Sequence, residues 1–192
     1  MSAPRKIALF GGTFDPVHLG HMHIAGSAHQ TLGLEEVRFL PCRISPHKAG
    51  QEPTPADDRL EMLRRATADL PWAVVDDCEV RSVGPSFSYV TAAAMRVRFS
   101  SARLFWIMGG DQWEALPQWR HPERLAACVE FVVFSRGDPP RPRDGYMMHA
   151  LAGNHPASAT AIREAFALGD ITHPWLAPAV AEWMVRRRLY RS

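Results

Sequence analysis

Eleven consecutive residues, Gly11-Gly12-Thr13-Phe14-Asp15-Pro16-Val17-His18-Leu19-Gly20-His21, combine glycines, a hydroxyl and paired histidines in an arrangement suited to phosphate chemistry. Gly11 and Gly12 let the backbone approach an anion with no Cβ in the way. His18 and His21 are three apart, so on a helix both imidazoles share one face. Gly20 lies between them and is expected to keep that turn open to a ligand. Before this segment, Ile7–Phe10 is a short apolar run that reads as a buried parallel strand. After it, Met22–Leu32 reads as a helix, with Gly33 placed to end it. A helix beginning near His18 directs unpaired N–H groups and a partial positive charge at whatever the glycines approach. In an open parallel sheet, the crevice at such a strand-to-helix handover is where nucleotides bind. A Gly-Gly pair alone is explained by a tight turn, and a histidine pair alone by a solvated surface. Their union at one junction calls for more. The segment is neither a G-x-G-x-x-G fingerprint nor a Walker A loop, which requires G-K-[ST].

Four further segments hold groups of use at such a site. Ser158-Ala159-Thr160-Ala161-Ile162-Arg163 has hydroxyls where a helix starts, which a bare N-cap also explains, followed by an arginine suited to phosphate. Trp106-Ile107-Met108-Gly109-Gly110-Asp111 ends a strand in a small-residue turn, and Trp119-Arg120 follows. A tryptophan face suits a flat heterocycle, although a core tryptophan is the plainer reading of Trp119 alone. Ser45-Pro46-His47-Lys48 sits in a stretch, Pro41–Pro53, without periodicity, on the carboxyl side of the second strand, as an active-site loop would be. A lysine in such a loop is by itself a solvated charge. Ser88-Tyr89-Val90-Thr91 opens another helix, and Phe134-Ser135-Arg136-Gly137 follows another strand.

Strand-like runs recur at Ile7–Phe10, Val37–Leu40, Ala73–Val75, Leu104–Met108 and Phe131–Phe134. Helical patterns fall at Met22–Leu32, Pro55–Leu70, Tyr89–Phe99 and Pro122–Ala127. This alternation predicts an α/β, Rossmann-like, doubly wound parallel sheet of about five strands. The expected organisation is one domain over 1–192, with a small helical C-terminal part from about residue 157. Thr54-Pro55 is expected to open the second helix with threonine as N-cap and Asp57-Asp58 in the first turn. A last helix starts near Pro178 and ends in Arg186-Arg187-Arg188, cations that complement its dipole. Asp138–Asp144 reads as a partly extended loop.

The 192 residues are 46% hydrophobic and 22% charged, ordinary for a globular chain of one domain. A net charge of +2 excludes an argument for a nucleic-acid or membrane surface. Cys42, Cys78 and Cys128 fit neither a disulfide framework nor a zinc site, so a cytoplasmic protein without a protein-held metal is expected. The apolar run after Arg5-Lys6 is too short for a signal peptide or a membrane span.

The undecapeptide resembles the phosphate-binding motif of the H-x-G-H nucleotidyltransferases. Its form G-G-T-F-D-P-x-H-x-G-H is most like the bacterial nicotinate mononucleotide adenylyltransferase family. The other segments are similar to that family's remaining blocks, in family order from Ile7 to Arg163. The resemblance implies adenylyl transfer from ATP to nicotinate mononucleotide, giving nicotinic acid adenine dinucleotide and pyrophosphate in NAD biosynthesis. It assigns His18 and His21 to catalysis, as donors that nearby phosphate would favour in the protonated form. It assigns Gly11, Gly12, Thr13, Phe14, Gly109, Asp111, Ser158, Thr160 and Arg163 to ATP. His47 and Lys48 would reach phosphate; Tyr89, Val90, Trp119 and Arg120 would hold the mononucleotide; Arg136 matches an x-R-P-G block that here lacks its proline. Magnesium would ride on ATP phosphates and water, since no carboxylate cluster offers a cage.

One departure bears on substrate. The family's S-Y-T threonine helps hold the pyridine carboxylate, but Val90 occupies that position and Thr91 follows it. A step of about 100° around a helix separates them. An adenylyltransferase preferring nicotinamide mononucleotide therefore stands as an alternative. A pantetheine-phosphate or cytidylyl enzyme fits Trp119 and Thr13-Phe14-Asp15-Pro16 less well. A non-catalytic nucleotide-sensing module of this fold would be expected to lose His18, His21 or Arg163. A class I aminoacyl-tRNA synthetase would need an anticodon-binding region. The sequence leaves the oligomeric state open.

Overall fold

A computed structural model describes residues 3–46, 52–135, 137–153 and 155–191. The chain runs β1 (Lys6–Gly12), α1 (Leu19–Leu32), β2 (Glu36–Pro41), α2 (Ala56–Thr67), β3 (Ala73–Val75), α3 (Cys78–Arg81), α4 (Ser88–Arg98) and β4 (Arg103–Gly109). It continues with α5 (Gly110–Ala115), a 3₁₀ turn (Leu116–Gln118), α6 (Pro122–Ala126), β5 (Glu130–Ser135), β6 (Met148–Ala152), α7 (Ala159–Ala167) and α8 (Pro178–Arg186).

The six strands lie in the order β3-β2-β1-β4-β5-β6, and every pairing is parallel. Alternate residues of the central strands feed opposite cores. Ala8, Phe10, Phe105, Ile107, Val132 and Phe134 join one apolar cluster, and Ile7, Leu9, Trp106, Met108, Phe131 and Val133 join the other. Both faces are therefore covered, as a parallel sheet requires. The first cluster takes in Ile162 and Phe166 of α7 and Val180, Ala181 and Met184 of α8.

The doubly wound sheet has six strands where about five were expected. The extra one, β6, is an edge strand of sequence Met-His-Ala-Leu-Ala, only half-buried and poor in β-branched residues. It pairs with β5 through backbone bonds that no apolar pattern announces. The second helix also begins one residue later than expected. Pro55, not Thr54, is its N-cap, because Thr54 is held by tertiary bonds described below. Gly33 ends α1 in the left-handed conformation, at φ 59° and ψ 49°, as its position predicts. The C-terminal arginines serve packing. The Arg187 Nε donates to Asp58 of α2 at 2.9 Å, and its guanidinium lies over the Trp183 ring.

Candidate active site

The strand order reverses between β1 and β4, and the carboxyl ends of both strands meet there. Gly11 and Gly12 close β1, while Gly109 closes β4 and caps α5. Past Gly12 the chain turns back over itself. A Cβ on Gly12 would come within 2.9 Å of the Phe14 ring, and one on Gly11 within 3.0 Å of Trp106. These glycines thus admit two rings against the end of β1.

Phe14 has φ 50°, a left-handed conformation that costs a non-glycine residue about 1–2 kcal/mol. Its ring is buried, edge-on to Phe10 at 5.5 Å and to His21 at 5.0 Å. The Phe14 ring belongs to the core, so Phe14, expected to bind ATP, has its main chain to offer a nucleotide.

His18 is the N-cap of α1. Its N–H donates to Nδ1 of His21 at 3.2 Å, and the two rings stack with centroids 3.7 Å apart. A ring nitrogen that accepts a hydrogen bond carries no proton. The bond therefore puts the proton of a neutral His21 on Nε2, as an outward donor. Gly20 has a packing role where an opening was expected. A Cβ there would lie 3.0 Å from His18 Nδ1 and 3.2 Å from Ala157 Cβ.

That contact with Ala157 brings the second phosphate motif to the first. Ser158 caps α7, its Oγ accepting from the Ala161 N–H at 3.5 Å. One turn on, Arg163 donates from Nη1 to the Asp15 carbonyl at 2.8 Å and from Nη2 to Thr160 Oγ1 at 3.3 Å. A guanidinium has five N–H donors in a fixed fork, so these two bonds leave capacity for an anion. Ser158 and Thr160 are exposed beside it. Asp111 is exposed in the first turn of α5.

Asp15 holds this region together, and sequence reasoning treats it only as a letter of the motif. One carboxylate oxygen accepts from the Thr54 N–H at 3.1 Å and the other from the Tyr190 hydroxyl at 2.5 Å. Burial, then the Asp15 charge beside it, push the Tyr190 phenol well above its ordinary range, so it stays a donor. The partners are remote in sequence, and no local signal points to them.

A second region gathers Tyr89, Trp119 and Arg120 of the expected mononucleotide residues, whereas Val90 faces a neighbouring hollow with Arg124. Ser88, Tyr89, Trp119 and Arg120, with Pro46 and Phe87, line a cavity of about 200 Å³. The Arg120 guanidinium lies 4.9 Å from the Phe87 ring centre, and Arg124 lies 5.3 Å from that of Tyr89. Val90 is 53% exposed. Thr91 does not replace the missing hydroxyl: it is buried and donates through Oγ1 to Glu79 Oε1 at 2.7 Å. Burial raises the Glu79 carboxyl above its usual value, with bonds from Thr91 and Ser86 opposing and the Asp76 charge adding to the rise. Glu79 sits on the four-residue helix α3, too short to show in an apolar pattern.

His47, Lys48 and Arg136 lie outside the described residues. Among the described residues, no group of three or more His, Cys, Asp or Glu side chains could hold a metal ion. None of their helices is long and apolar enough to cross a membrane.

Known proteins share this arrangement. The family model described as cytidylyltransferase-like matches residues 9–165. The nicotinate-nucleotide adenylyltransferase of Bacillus subtilis is 32% identical over 192 aligned positions, covering 98% of this chain and 100% of that one. A "probable nicotinate-nucleotide adenylyltransferase" of Chromohalobacter salexigens is 34% identical, with 97% of this chain and 96% of the relative covered. Among solved structures, the Plasmodium falciparum nicotinic acid mononucleotide adenylyltransferase complexed with NaAD superimposes with a TM-score of 0.80 over 97% of each chain. At 16% identity, that likeness speaks for the fold. The motif order, the parallel sheet that presents it and the full-length relatives agree: the chain belongs to the nicotinate-nucleotide adenylyltransferase family, within the cytidylyltransferase-like proteins.

Proposed function

We propose that this chain transfers the adenylyl group of ATP to nicotinate mononucleotide, releasing pyrophosphate and forming nicotinic acid adenine dinucleotide. The observation that supports this most is the stacked His18–His21 pair at the start of α1, beside the carboxyl end of β1 at the sheet's switch point. An oxygen of the mononucleotide 5′-phosphate attacks the α-phosphorus in line. A new P–O bond forms as the bond to the β-phosphate bridge breaks, and its electron pair leaves with pyrophosphate. The attacking phosphate is already anionic, so no protein nucleophile is required. Catalysis is then positioning and stabilisation of growing negative charge. His21, donating from Nε2, and His18 supply that stabilisation. The amides of α1 and α7 and the Arg163 fork bind the triphosphate.

Among the described residues, no donor set fits a protein-held metal. Magnesium is assigned to the phosphates of ATP and to water, and no step here runs through it. Trp119 stacks on the pyridine ring, and main-chain N–H groups near Tyr89 and Arg120 donate to its carboxylate. Cys42, Cys78 and Cys128 form no disulfide, and a cytoplasmic setting is part of this reading.

A second reading is favoured by Val90, exposed where a threonine hydroxyl would be, with Thr91 turned to Glu79. On that reading nicotinamide mononucleotide is the preferred acceptor. Purified protein with ATP, magnesium and either mononucleotide, assayed for pyrophosphate and dinucleotide, tests both. Higher kcat/KM with the amide overturns the acid assignment, and no dinucleotide from either overturns the activity.

A further inference from the structure

Arg59 of α2 is 1% exposed, the most completely buried charged side chain among the described residues. Its guanidinium reaches three main-chain carbonyls. Nε donates to Thr54 at 2.8 Å, and Nη1 donates both to Thr13 at 2.9 Å and to Cys42 at 2.8 Å. A buried cation is tolerated only where its donors are met, and these acceptors come from separate segments. Thr13 follows β1, Cys42 follows β2, and Thr54 precedes the cap of α2. One planar group thus joins the carboxyl ends of two adjacent strands. It also ties residue 42 to residue 54, the two ends of the connection between β2 and α2. The Cys42 N–H adds a bond to the Gly12 carbonyl at 2.9 Å.

The position of Thr13 gives this clamp its significance. The left-handed Phe14 follows it, and Asp15 comes next. Arg59 grips the carbonyl on one side of Phe14, and Arg163 grips the carbonyl of Asp15 on the other, at 2.8 Å. A backbone conformation of this kind persists only where its surroundings over-determine it. Fixing the Thr13 carbonyl also fixes the plane of the Thr13–Phe14 peptide, and with it the direction of the Phe14 N–H. The Phe14 ring in turn packs edge-on to the catalytic ring of His21. We infer that Arg59 is a positioning residue for adenylyl transfer, holding the Thr13–Asp15 turn and the base of the β2–α2 connection in the geometry that receives the triphosphate. It acts from behind, through carbonyls, and touches no substrate. This inference rests on the proposed adenylyltransferase activity.

Lysine cannot reproduce the fork, because a point ammonium on a flexible stem does not span three fixed carbonyls in one plane. Arg59→Lys and Arg59→Gln, in the full chain, are compared with wild type and with Met184→Ala. Met184 is fully buried in the core and has no part in the site. Each protein is measured for thermal unfolding, for steady-state kinetics with both substrates, and for binding of a non-hydrolysable ATP analogue by calorimetry. A misplaced reacting group costs about 10²-fold in rate. Arg59→Lys is therefore expected to lower kcat by about that factor, raise the KM for ATP and weaken the analogue. The KM for the mononucleotide should stay within about two-fold, since Trp119 and Tyr89 are not tied to Arg59. Met184→Ala should melt lower with kcat unchanged. The inference is overturned if Arg59→Lys keeps wild-type kcat, if both KM values rise together, or if Met184→Ala loses the same kcat for the same loss in Tm. If neither Arg59 variant folds, Arg59 is a structural residue and the inference is likewise overturned. If wild type makes no dinucleotide, the activity fails by itself. The analogue affinities of wild type and Arg59→Lys then decide about the turn: equal affinities overturn the clamp, and a weaker variant supports it.

Discussion

The two halves of the candidate site are built on different principles. Around Thr13–His21, arginines from α2 and α7 hold main-chain carbonyls, and Asp15 bonds to Thr54 and Tyr190. The groups proposed to face phosphate are thereby fixed by charge-assisted bonds to the backbone, which a side-chain substitution elsewhere leaves intact. Around Tyr89 and Trp119, cations lie over aromatic rings and Val90 is open to solvent. Recognition there rests on the identity of a few side chains. The contrast matches the division of labour in the proposed reaction: the triphosphate end performs the chemistry, and the pyridine end selects the acceptor.

Removing either histidine tests the rigid half most severely. His18→Ala and His21→Ala are each expected to lower kcat by roughly 10²–10³-fold, with mononucleotide binding little changed. Near-wild-type turnover in both would remove the histidines from the mechanism. Next in size is Arg163→Ala, expected to weaken ATP by about 1.5–3 kcal/mol, the scale of a charge-assisted hydrogen bond. AMP, without the distal phosphates, should lose much less. Equal losses in a direct binding measurement would place Arg163 with Asp15 alone, away from the β- and γ-phosphates.

In the other half, Trp119→Ala should weaken both mononucleotides by about 1–3 kcal/mol, judging from base–aromatic stacking. A change for one acceptor only would show that the ring discriminates as well as stacks. Val90→Thr should sharpen the preference for the acid by up to about 1 kcal/mol, one added hydrogen bond. No change in the ratio of kcat/KM values would shift selection to the main-chain donors.

The smallest expected effect is a pH-dependent one, behind α4. Burial raises Glu79 above its unfolded value. Such a group contributes fully to stability below the unfolded carboxyl pKa, and that contribution is lost as pH rises through the folded one. Glu79→Gln, which keeps an acceptor for Thr91, should therefore melt at or above the wild-type temperature at neutral pH. The difference should close as pH falls to about 4, the unfolded carboxyl range. A gap that widened on acidification would show the charged form to be the stabilising one.

The central strands and longer helices were legible from the sequence because each declares itself locally. Ile7–Phe10 is an unbroken apolar run, and Gly33 stops α1 where only a left-handed residue fits. The undecapeptide and the Ser158–Arg163 block stand out for the same reason, by residue type and spacing within one short segment. The remainder depends on partners that sequence distance conceals. β6 exists because β5 offers it an edge. Thr54 looked like a helix cap, but Asp15 and Arg59 draw it elsewhere. Nothing in the motif showed that the Phe14 ring fills space beside Phe10 and Phe39. Thr91 could not be distinguished from a displaced substrate ligand until Glu79 was seen to hold it.

The bond between Tyr190 and Asp15 spans 175 positions of chain. A polypeptide grows from its amino end, so the turn that holds Asp15 leaves the ribosome before Tyr190 does. At the usual elongation rate of about 5–20 residues per second, the hydroxyl that fastens it follows roughly ten to thirty seconds later. During that interval β1, β2 and α1 can already associate while the turn still lacks one of its ties. The Asp15 tie is then made only after both α2 and the segment that follows α8 have been synthesised.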